Sequence, residues 1–445
     1  MTTTQADLTT LAAEAYLFGF PLVFNLEQVQ RLAGEGLGAL PAAPFNTFSH
    51  ATKLAGPEDT FVSVNNDTLY SIAQLDLRSG PVRLDVPAAG DRYYVLQLVD
   101  AWTDNFAYVG RRATGTDAAS YWIIPLGWED PLPDGAARIE APTAIVTIVG
   151  RWAVDGEDDL PAVAKLQRGL RLTPLSGGPP LPAFPAGDPA VPDDLRFFER
   201  LRVWSQAFPP APAEREHLQR FAELGLLAPL SPYTADGVPE LTTAVRAGLP
   251  AGQALLEDVL EHGSAPEVNG WRLSYHAFDY NNDYLGLGTL DDPEWRIADR
   301  DAARVERAAA ARGGLWGNHG YEAAYAMAWV DGDGEPLSGG RSYTLRFATL
   351  PPVDTFWSVT MYDLPEFYLV ANPVRRYSIG DRTPGLRYDD DGSLTLLLQH
   401  EDPGDDEQRA NWLPAPAGRF RPILRMYQPR DAVFDGYELP PIRRA

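Results

Sequence analysis

The sequence predicts a multidomain protein of mixed α and β structure, with N-terminal helices, an antiparallel β-sandwich, a mainly helical middle region and a C-terminal, jelly-roll-like β-sandwich. Its 445 residues are more than a single hydrophobic core usually organises. The spacing of apolar residues changes along the chain from helical to strand-like, back to helical, and again to strand-like. A strand pattern of the first β region also recurs in the second, which predicts two related sandwiches.

Residues 1–45 are predicted to form a helical lead-in. Apolar side chains such as Leu11 and Tyr16 recur there at helical spacing. Pro21 is expected to interrupt the pattern, because proline lacks the backbone N–H that a helix interior uses. The glycines of GEGLG are expected to end it.

Residues 46–155 are predicted to form the first β-sandwich. Runs of β-branched and aromatic residues follow one another here, namely VRLDV, YYVLQLV, YWIIPL and AIVTIVG. Glycine, proline and aspartate turns separate these runs. Short strands at this spacing are typical of an antiparallel sandwich or barrel.

Residues 156–320 are predicted to be a mainly helical insert. Helical periodicity returns in LPAVAKLQRGLRL, DDLRFFERLRVWSQAF, AEREHLQRFAELGLL, LTTAVRAGLPAGQALLEDVLEH and ADRDAARVERAAAAR. The proline-rich segment 174–193 is expected to be a loop between these helices.

Residues 321–445 are predicted to form the second, jelly-roll-like sandwich. The strand pattern resumes at Tyr325 and continues to the C-terminus. The sequences DGDG and DDDG within it are expected to be hairpin turns.

A short pattern occurs twice in the β regions. The stretch DRYYVLQLVD, residues 91–100, is matched without a gap by DTFWSVTMYD, residues 354–363. Alternate residues of a strand share a face, so one face of each copy is expected to line a core. The expected core residues are Tyr94, Leu96 and Leu98 in the first copy and Trp357, Val359 and Met361 in the second. Chance similarity between alternating strands is the alternative explanation.

A second matched block favours duplication over chance. Residues 70–76 and residues 325–331 both begin with tyrosine and end with aspartate. A carboxylate lies three residues before each tyrosine, Asp67 in the first copy and Glu322 in the second. We therefore interpret the two β regions as a duplicated sandwich, whose first strands are each preceded by an acidic residue and begin near a tyrosine.

Longer stretches resemble a known pair of bacterial domains. In the first half, NNDTLYS, GPVRLDVP and DRYYVLQLVDAWTDNFAYVGRRATG resemble domain of unknown function 1254 (DUF1254). In the last third, PPVDTFWSVTMYD, NPVRRYSIGDRTPGLRYDDDGSLTLLLQH, NWLPAPAGRF and DGYELPPIRR resemble its usual partner, DUF1214. The resemblance implies an immunoglobulin-like sandwich, a helical insert and a jelly roll, but no settled chemistry. Asn66 replaces an arginine of many relatives, so their cationic contact is expected to be absent here.

The charge balance narrows the classes of partner. With 61 acidic and 37 basic residues, the net charge of −24 is expected to repel nucleic acids and anionic membranes. The early apolar run AYLFGFPLVF is too short to span a bilayer, and no basic signal-peptide segment precedes it. We therefore expect a cytoplasmic protein whose partner is a small-molecule ligand. Exposed sandwich edges would allow a homodimer.

No cofactor or metal is expected from the motifs. The chain has no cysteine, and it contains neither the G-x-S-x-G motif nor the G-x-x-x-x-G-K-[ST] motif. None of its six histidines forms the pattern H-x-H or H-E-x-x-H. DGDG could begin a calcium loop, but the twelfth position is Ser342 and not glutamate.

Polar side chains within the aromatic strands are the remaining candidates for chemistry. The predicted catalytic residues are Asp67, Tyr70, Glu322, Tyr325 and His276. The predicted substrate-binding residues are Asn66, Arg92, Trp102, Asn105, Tyr108, Trp357, Tyr362, Arg376, Trp412 and Arg425. A buried arginine needs a partner, so Arg92 is expected either to pair with Asp67 or Asp100 or to clamp a substrate carboxylate or phosphate.

A carboxylate and a tyrosine from each half, meeting in one cleft, would supply a general base and a general acid without a cofactor. The sequence therefore favours a small-molecule enzyme that catalyses hydrolysis, elimination, isomerisation or cyclisation in an aromatic interdomain pocket. The alternative is a non-catalytic binding protein for a hydrophobic or carboxylated metabolite. His276 is the histidine expected to titrate in function, and its structural alternative is a satisfied side chain.

Overall fold

The computed structural model describes residues 4–176, 184–263 and 265–445, which form helices and four β-sheets. The α-helices are α1 Gln5–Gly34, α2 Leu160–Gln167, α3 Arg196–Ala207, α4 Pro212–Gln219, α5 Pro239–His262, α6 Arg300–Gly313, α7 Asp406–Ala410 and α8 Asp431–Phe434. Single 3-10 turns cover Leu77–Ser79, Glu157–Asp159, Asp193–Leu195, Arg220–Leu224 and Pro293–Trp295. Across these three ranges, no helix combines the length and hydropathy that crossing a bilayer requires.

The strands fall into two groups along the chain. The first group is β1 Phe48–His50, β2 Thr68–Asp76, β3 Val82–Val86, β4 Tyr94–Asp100, β5 Asn105–Gly110, β6 Ala119–Pro125, β7 Ala137–Ala141, β8 Ile145–Ala153 and β9 Arg171–Pro174. The second group is β10 Glu267–Val268, β11 Trp271–Leu273, β12 Ala323–Ala328, β13 Tyr343–Phe347, β14 Val353–Asp363, β15 Ser378–Gly380, β16 Leu394–Gln399, β17 Trp412–Pro414, β18 Phe420–Pro429 and β19 Ile442–Arg444. The predicted order of helical and β regions is confirmed.

The N-terminal helix α1 is longer and more continuous than expected. It begins at a capping box in which Thr4 and Asp7 satisfy each other's backbone N–H groups. The helix then runs through Pro21 without ending, so the predicted interruption is wrong. Packing on α5 explains its continuity. The two helices approach so closely that a Cβ on Gly248 would lie 2.4 Å from the Cβ of Ala12.

The middle region contains the predicted helices. Four of the five helical stretches are matched by α2, α3, α5 and α6, and the remaining one forms α4 followed by a 3-10 turn. In the proline-rich segment predicted to be a loop, residues 177–183 lie outside the described residues, and residues 184–192 form neither helix nor strand. The amphipathic faces of these helices pack with α1 on the core of the first sandwich.

The two β regions have the same topology except for β10, an additional edge strand of the second region. In the first, the strand orders of the two sheets are β1-β2-β8-β4-β5 and β7-β6-β3-β9. In the second, they are β10-β11-β12-β18-β14-β15 and β17-β16-β13-β19. Both contain one parallel pair at the same place, β6 with β7 and β16 with β17, while the other pairings are antiparallel. Shared order and shared direction support the interpretation of the repeat as a duplicated sandwich.

The pairing register is also repeated. In the first half, Arg151 on β8 lies opposite Tyr70 on one neighbour and Val95 on the other. In the second half, Arg425 on β18 lies opposite Tyr325 and Ser358. In the sequence repeat, position 95 corresponds to position 358, and position 70 to position 325. The strands β2, β8 and β4 are therefore paired in the same register as β12, β18 and β14. Arg151 and Arg425 are therefore equivalent residues.

The central strands β4 and β14 are buried on both faces. Their predicted core residues are confirmed, because Tyr94, Leu96 and Leu98 lie in the core of the first half. Trp357, Val359 and Met361 lie in the core of the second half.

The opposite faces of these strands meet in a third apolar cluster between the halves. The equivalent residues Tyr93 and Phe356 touch there, with ring centroids 5.6 Å apart. Contact between equivalent residues indicates a pseudo-two-fold axis that passes through the interface.

Candidate functional site

A cavity of about 910 Å³ of empty space, including its open mouth, lies where the two halves and the helical layer meet. Its apolar wall includes Leu37, Leu40, Phe61, Val62, Ile72, Val149, Phe278, Trp316, Met327 and Ile423. Its polar lining includes Lys53, Asp59, Asn65, Tyr70, Arg151, Tyr325, Arg425 and Tyr427. A mainly apolar cavity with a few polar groups is the usual form of a small-molecule site.

The two equivalent arginines both line this cavity, and they are held in equivalent ways. Arg151 donates from Nη1 to Oε1 of Gln97 at 2.7 Å. Arg425 donates from Nη1 to Oγ1 of Thr360 at 3.1 Å. Gln97 and Thr360 occupy matching positions of the repeated strand. Each arginine is thus oriented by its own half through the same pair of strands.

The second hydrogen bond of each arginine crosses to the other half. Nη2 of Arg151 donates to the carbonyl of Trp316, in the loop before β12, at 2.7 Å. Nη2 of Arg425 donates to the carbonyl of Ser63, in the loop before β2, also at 2.7 Å. Ser63 has φ of 48° and Trp316 has φ of 53°. Left-handed backbone is unfavourable for both residue types, and such strain is commonly kept at functional sites.

Three phenols stand beside the arginines. The guanidinium carbon of Arg151 lies 5.5 Å from the ring centroid of Tyr70. The hydroxyl of Tyr325 accepts a hydrogen bond from the backbone N–H of Asn318 at 3.1 Å. Burial raises the pKa of Tyr325, and that of Tyr427 well above its usual value. These two phenols are therefore neutral donors at pH 7.

Asp67 lies behind the cavity wall, where the second half holds it. Its Oδ1 accepts from the hydroxyl of Tyr427 at 3.0 Å, and its Oδ2 accepts a short hydrogen bond from Ser358. The carboxylate therefore reaches the cavity only through the phenol of Tyr427, which lines it. The prediction that Asp67 acts directly on a substrate in this cavity is not supported by its position.

Glu322 is held reciprocally by the first half. Its Oε1 accepts from Tyr93 at 3.0 Å and its Oε2 from Nε of Arg112 at 2.6 Å. The residue is 1% exposed and does not line the cavity. Burial raises its pKa, and Arg112 opposes that shift. Both oxygens are used across the interface, so Glu322 joins the two halves, and its predicted catalytic role is not supported by its position.

His276 lies apart from the cavity. Its side chain is 46% exposed, and Nδ1 contacts Oδ2 of the buried Asp279 at 2.7 Å. This hydrogen bond raises the pKa of His276. Its ring packs against Trp295, with centroids 5.5 Å apart. The predicted catalytic residues are therefore not gathered in one place, since only Tyr70 and Tyr325 among them line the cavity.

Most predicted substrate-binding residues also lie elsewhere. Only Arg425 of that group lines the cavity. Arg92 pairs with neither Asp67 nor Asp100, but with both carboxylate oxygens of Asp159, at 2.5 and 2.7 Å. The pairing predicted for Arg92 is wrong because Asp159 follows β8 in the next turn, which the strand pattern does not reveal.

Other predicted contacts in the first half are taken up by the fold. Asn66 donates to the carbonyl of Ala55, Trp102 to that of Phe208, and Asn105 to that of Gly317. The hydroxyl of Tyr108 meets Nδ1 of buried His319 at 3.0 Å. Each polar group therefore already has a partner inside the protein.

The predicted binding residues of the second half, other than Arg425, are also occupied by contacts within the protein. Nη1 of Arg376 is satisfied by three backbone carbonyls, including that of Trp412 at 2.8 Å. Tyr362 donates to the carbonyl of Val64 at 2.7 Å. Trp357 belongs to the sandwich core, and Trp412 is fully buried.

Sequence reasoning missed Arg151, although a signal for it was present. The stretch VGR, residues 149–151, matches ILR, residues 423–425, when the repeat is extended to β8 and β18. The strand pairing confirms this alignment. Ser63 and Trp316 carried no comparable signal, because their role depends on backbone carbonyls. Among the described side chains, no group of three or more His, Asp or Glu residues is arranged to hold a metal ion.

Comparison with known proteins identifies two domains of the chain. The family described as protein of unknown function (DUF1254) matches residues 45–174, and DUF1214, with the same description, matches residues 322–431. The crystal structure of the VPA0106 protein from Vibrio parahaemolyticus is similar over 99% of this chain and 100% of that one, with 24% identity and a TM-score of 0.69. This similarity shows the fold.

A second structure, of an uncharacterized protein from Burkholderia cenocepacia, covers 99% of this chain and 95% of that one, with 13% identity and a TM-score of 0.44. No curated protein shows significant similarity.

Proposed function

We propose that this chain, which belongs to the family that joins the DUF1254 and DUF1214 domains, binds a small, largely apolar carboxylate in the cavity between its two halves. One observation carries the proposal. Arg151 and Arg425 face the same cavity, are 6% and 4% exposed, and form no ion pair with a carboxylate of the described residues. Two buried guanidinium groups without a counter-charge are costly unless a bound anion completes them.

The N–H donors of Arg151 and Arg425 that these hydrogen bonds leave unused are suited to binding an oxyanion. A guanidinium has five N–H donors, and each of these arginines uses two in the hydrogen bonds described above. Asp67 and Glu322 exert an electrostatic influence on them, but both carboxylates are already hydrogen-bonded to other groups. A planar carboxylate can accept two parallel N–H bonds from one guanidinium, which gives affinity and orientation together.

The rest of the cavity supports an apolar body on the ligand. Aliphatic and aromatic side chains form most of its lining. Burying this surface against an apolar group is favourable, while an additional charge on the ligand would lack a partner there. The phenol of Tyr70 has no hydrogen-bond partner among the described residues, and it lines the cavity beside Arg151. It is thus free to donate to the bound carboxylate.

Native mass spectrometry of the purified chain tests this proposal. We expect a bound species that denaturation releases, and that carries a carboxylate on a mainly apolar skeleton. A panel of alkyl and aryl carboxylates, titrated calorimetrically beside the corresponding neutral alcohols, measures the preference for the anion. The absence of a released carboxylate, together with equal or no binding of acids and alcohols, would contradict it.

The contact between Tyr427 and Asp67 favours a second candidate, cofactor-free acid–base catalysis on the bound ligand. The phenol lines the cavity and donates to a carboxylate behind it, so a proton could pass between the ligand and Asp67 through Tyr427. Hydrolysis, elimination, isomerisation or cyclisation are reactions that such a pair could assist.

Asp67→Asn is the matching test of catalysis. If the pair works in this way, the variant is expected to lower turnover of the released ligand by roughly 10²- to 10⁴-fold while binding persists. Glu322→Gln is the matched control, because Glu322 is the equivalent carboxylate but lies away from the cavity. Unchanged turnover in Asp67→Asn, measured by product analysis, would leave the cavity as a binding site only.

A further inference from the structure

A second group of unsatisfied donors lies beside the candidate site, around Arg421 on β18. This arginine is fully buried. Its Nη2 donates to Oγ of Ser63 at 2.9 Å. Its Nε and Nη1 are buried and have no hydrogen-bond partner among the described residues. Buried charged donors are almost always satisfied, so two orphaned nitrogens on one guanidinium require an explanation.

Two neighbouring side chains also have a buried donor without a hydrogen-bond partner. The guanidinium carbon of Arg421 lies 4.9 Å from the ring centroid of Trp329, and that of Arg272 lies 5.7 Å from the same centroid. Nε1 of Trp329 and Nε of Arg272 are also buried without a partner. Four of the nine orphaned side-chain atoms in the described residues thus belong to these three contacting residues. All four are donors, so the cluster lacks acceptors.

The charges around Arg421 have the same sign. Its pKa is lowered to about 9, chiefly by burial, and the positive charges of Arg425, Arg272 and Arg312 contribute to this shift. Two nearby carboxylates are already engaged, since Glu257 pairs with Arg312 at 2.7 Å and Glu267 with Arg272 at 3.5 Å. A third, Glu306, interacts electrostatically with Arg272, but burial raises its pKa to about 7, which favours its neutral form. The region therefore has a positive potential that no described carboxylate neutralises at Arg421.

We propose that Arg421, Arg272 and Trp329 bind a small monovalent anion of the size of chloride. A small anion fits because the guanidinium of Arg421 is packed at 4.1 Å from the ring centroid of Phe367, which leaves little room for a larger group. Ser63 stands between Arg421 and the cavity that Arg425 lines, so the carboxylate ligand of that cavity does not reach these donors.

This anion site is independent of the proposed carboxylate site. An indentation whose lining includes Leu260, Trp329 and Phe367, together with Glu257 and Glu261, reaches the cluster at Trp329. The anion would supply the missing acceptor and counter-charge at once, and would stabilise the sheet end at which α5 meets the second sandwich.

Bromide provides a direct test, because it replaces chloride and scatters anomalously. Crystals of the full chain grown or soaked in sodium bromide are expected to show an anomalous peak in hydrogen-bonding contact with Nε or Nη1 of Arg421. The thermal midpoint of the chain is also expected to rise with sodium chloride, but not with sodium isethionate at equal ionic strength, since the larger anion cannot enter.

Variants separate a specific site from a general salt effect. Arg421→Met is expected to abolish the chloride dependence, while Arg341→Met, which removes the same charge from an exposed position, keeps it. Trp329→Phe removes one donor and is expected to weaken chloride binding by roughly tenfold. The proposal is overturned if bromide gives no peak at Arg421, or if chloride and isethionate act alike on the unmodified chain. Both measurements use that chain, so they hold even if Arg421→Met fails to fold.

Discussion

Arg151→Met and Arg425→Met are each expected to weaken binding of an apolar carboxylate such as decanoate by at least about 30-fold, equivalent to roughly 2 kcal/mol. Methionine retains the length and apolar stem of arginine but removes the charge and all five donors. Since the two arginines occupy equivalent positions of the two halves, we expect effects of similar size. The double variant should bind decanoate no better than decanol, because only the apolar contribution of the cavity then remains.

Isothermal titration calorimetry of decanoate and decanol measures this effect. Arg376→Met is a matched control: Arg376 is half-buried, and its guanidinium also binds backbone carbonyls, but it lies away from the cavity. It should leave decanoate binding unchanged. Equal loss of affinity in the control and the cavity variants would show a general structural effect, and undiminished binding in both cavity variants would refute the role of the arginines.

Glu322→Ala is expected to cause the largest loss of stability, about 3–5 kcal/mol in the free energy of unfolding. The substitution leaves Nε of Arg112 and the hydroxyl of Tyr93 without their acceptor inside the interface. It also opens a cavity between the halves, where Glu322 is fully buried. Glu322→Gln retains the volume and one acceptor and should lose less.

Urea denaturation followed by circular dichroism measures these changes. Glu129→Ala, at an exposed position, is the control and is expected to stay within about 0.5 kcal/mol of the unmodified chain. If Glu322→Ala were as stable as this control, the reciprocal contacts of the carboxylates would not hold the halves together.

The pH dependence of the free energy of unfolding gives a further test of the role of Glu322. Burial raises the pKa of Glu322 above its unfolded value, so the contribution of this group to stability is fully present below the unfolded pKa and is lost as pH rises through the folded pKa.

The pseudo-two-fold arrangement explains why the cavity carries two arginines. Each half contributes one guanidinium, which a residue of a neighbouring strand in the same half supports. A backbone carbonyl of the other half, from the loop before β12 or β2, accepts the second hydrogen bond. Asp67 and Glu322 are bound in the same reciprocal way, because each carboxylate accepts hydrogen bonds from the opposite half. The interface thus resembles that of a symmetric dimer within one chain, with the site near its axis.

Much of the fold could be predicted from the repeated strand pattern. Strand alternation identified the core faces of β4 and β14, since apolar residues at every second position must point to one side. It also placed Tyr70 and Tyr325 at equivalent positions, and both line the cavity. It could not show which element covers the opposite face, so the contacts by which Asp67 and Glu322 join the halves could not be predicted from it.

The sequence by itself determined the order of helical and β regions, the duplication and the apolar faces, because these depend on periodicity and on composition within a few tens of residues. Only the tertiary structure decided the partner of each buried charge. Ser63 and Arg425 are separated by most of the chain, and Trp316 and Arg151 by more than a third of it, yet each pair shares one hydrogen bond. Such contacts follow from how two folded halves dock, and no local pattern of residues encodes that geometry.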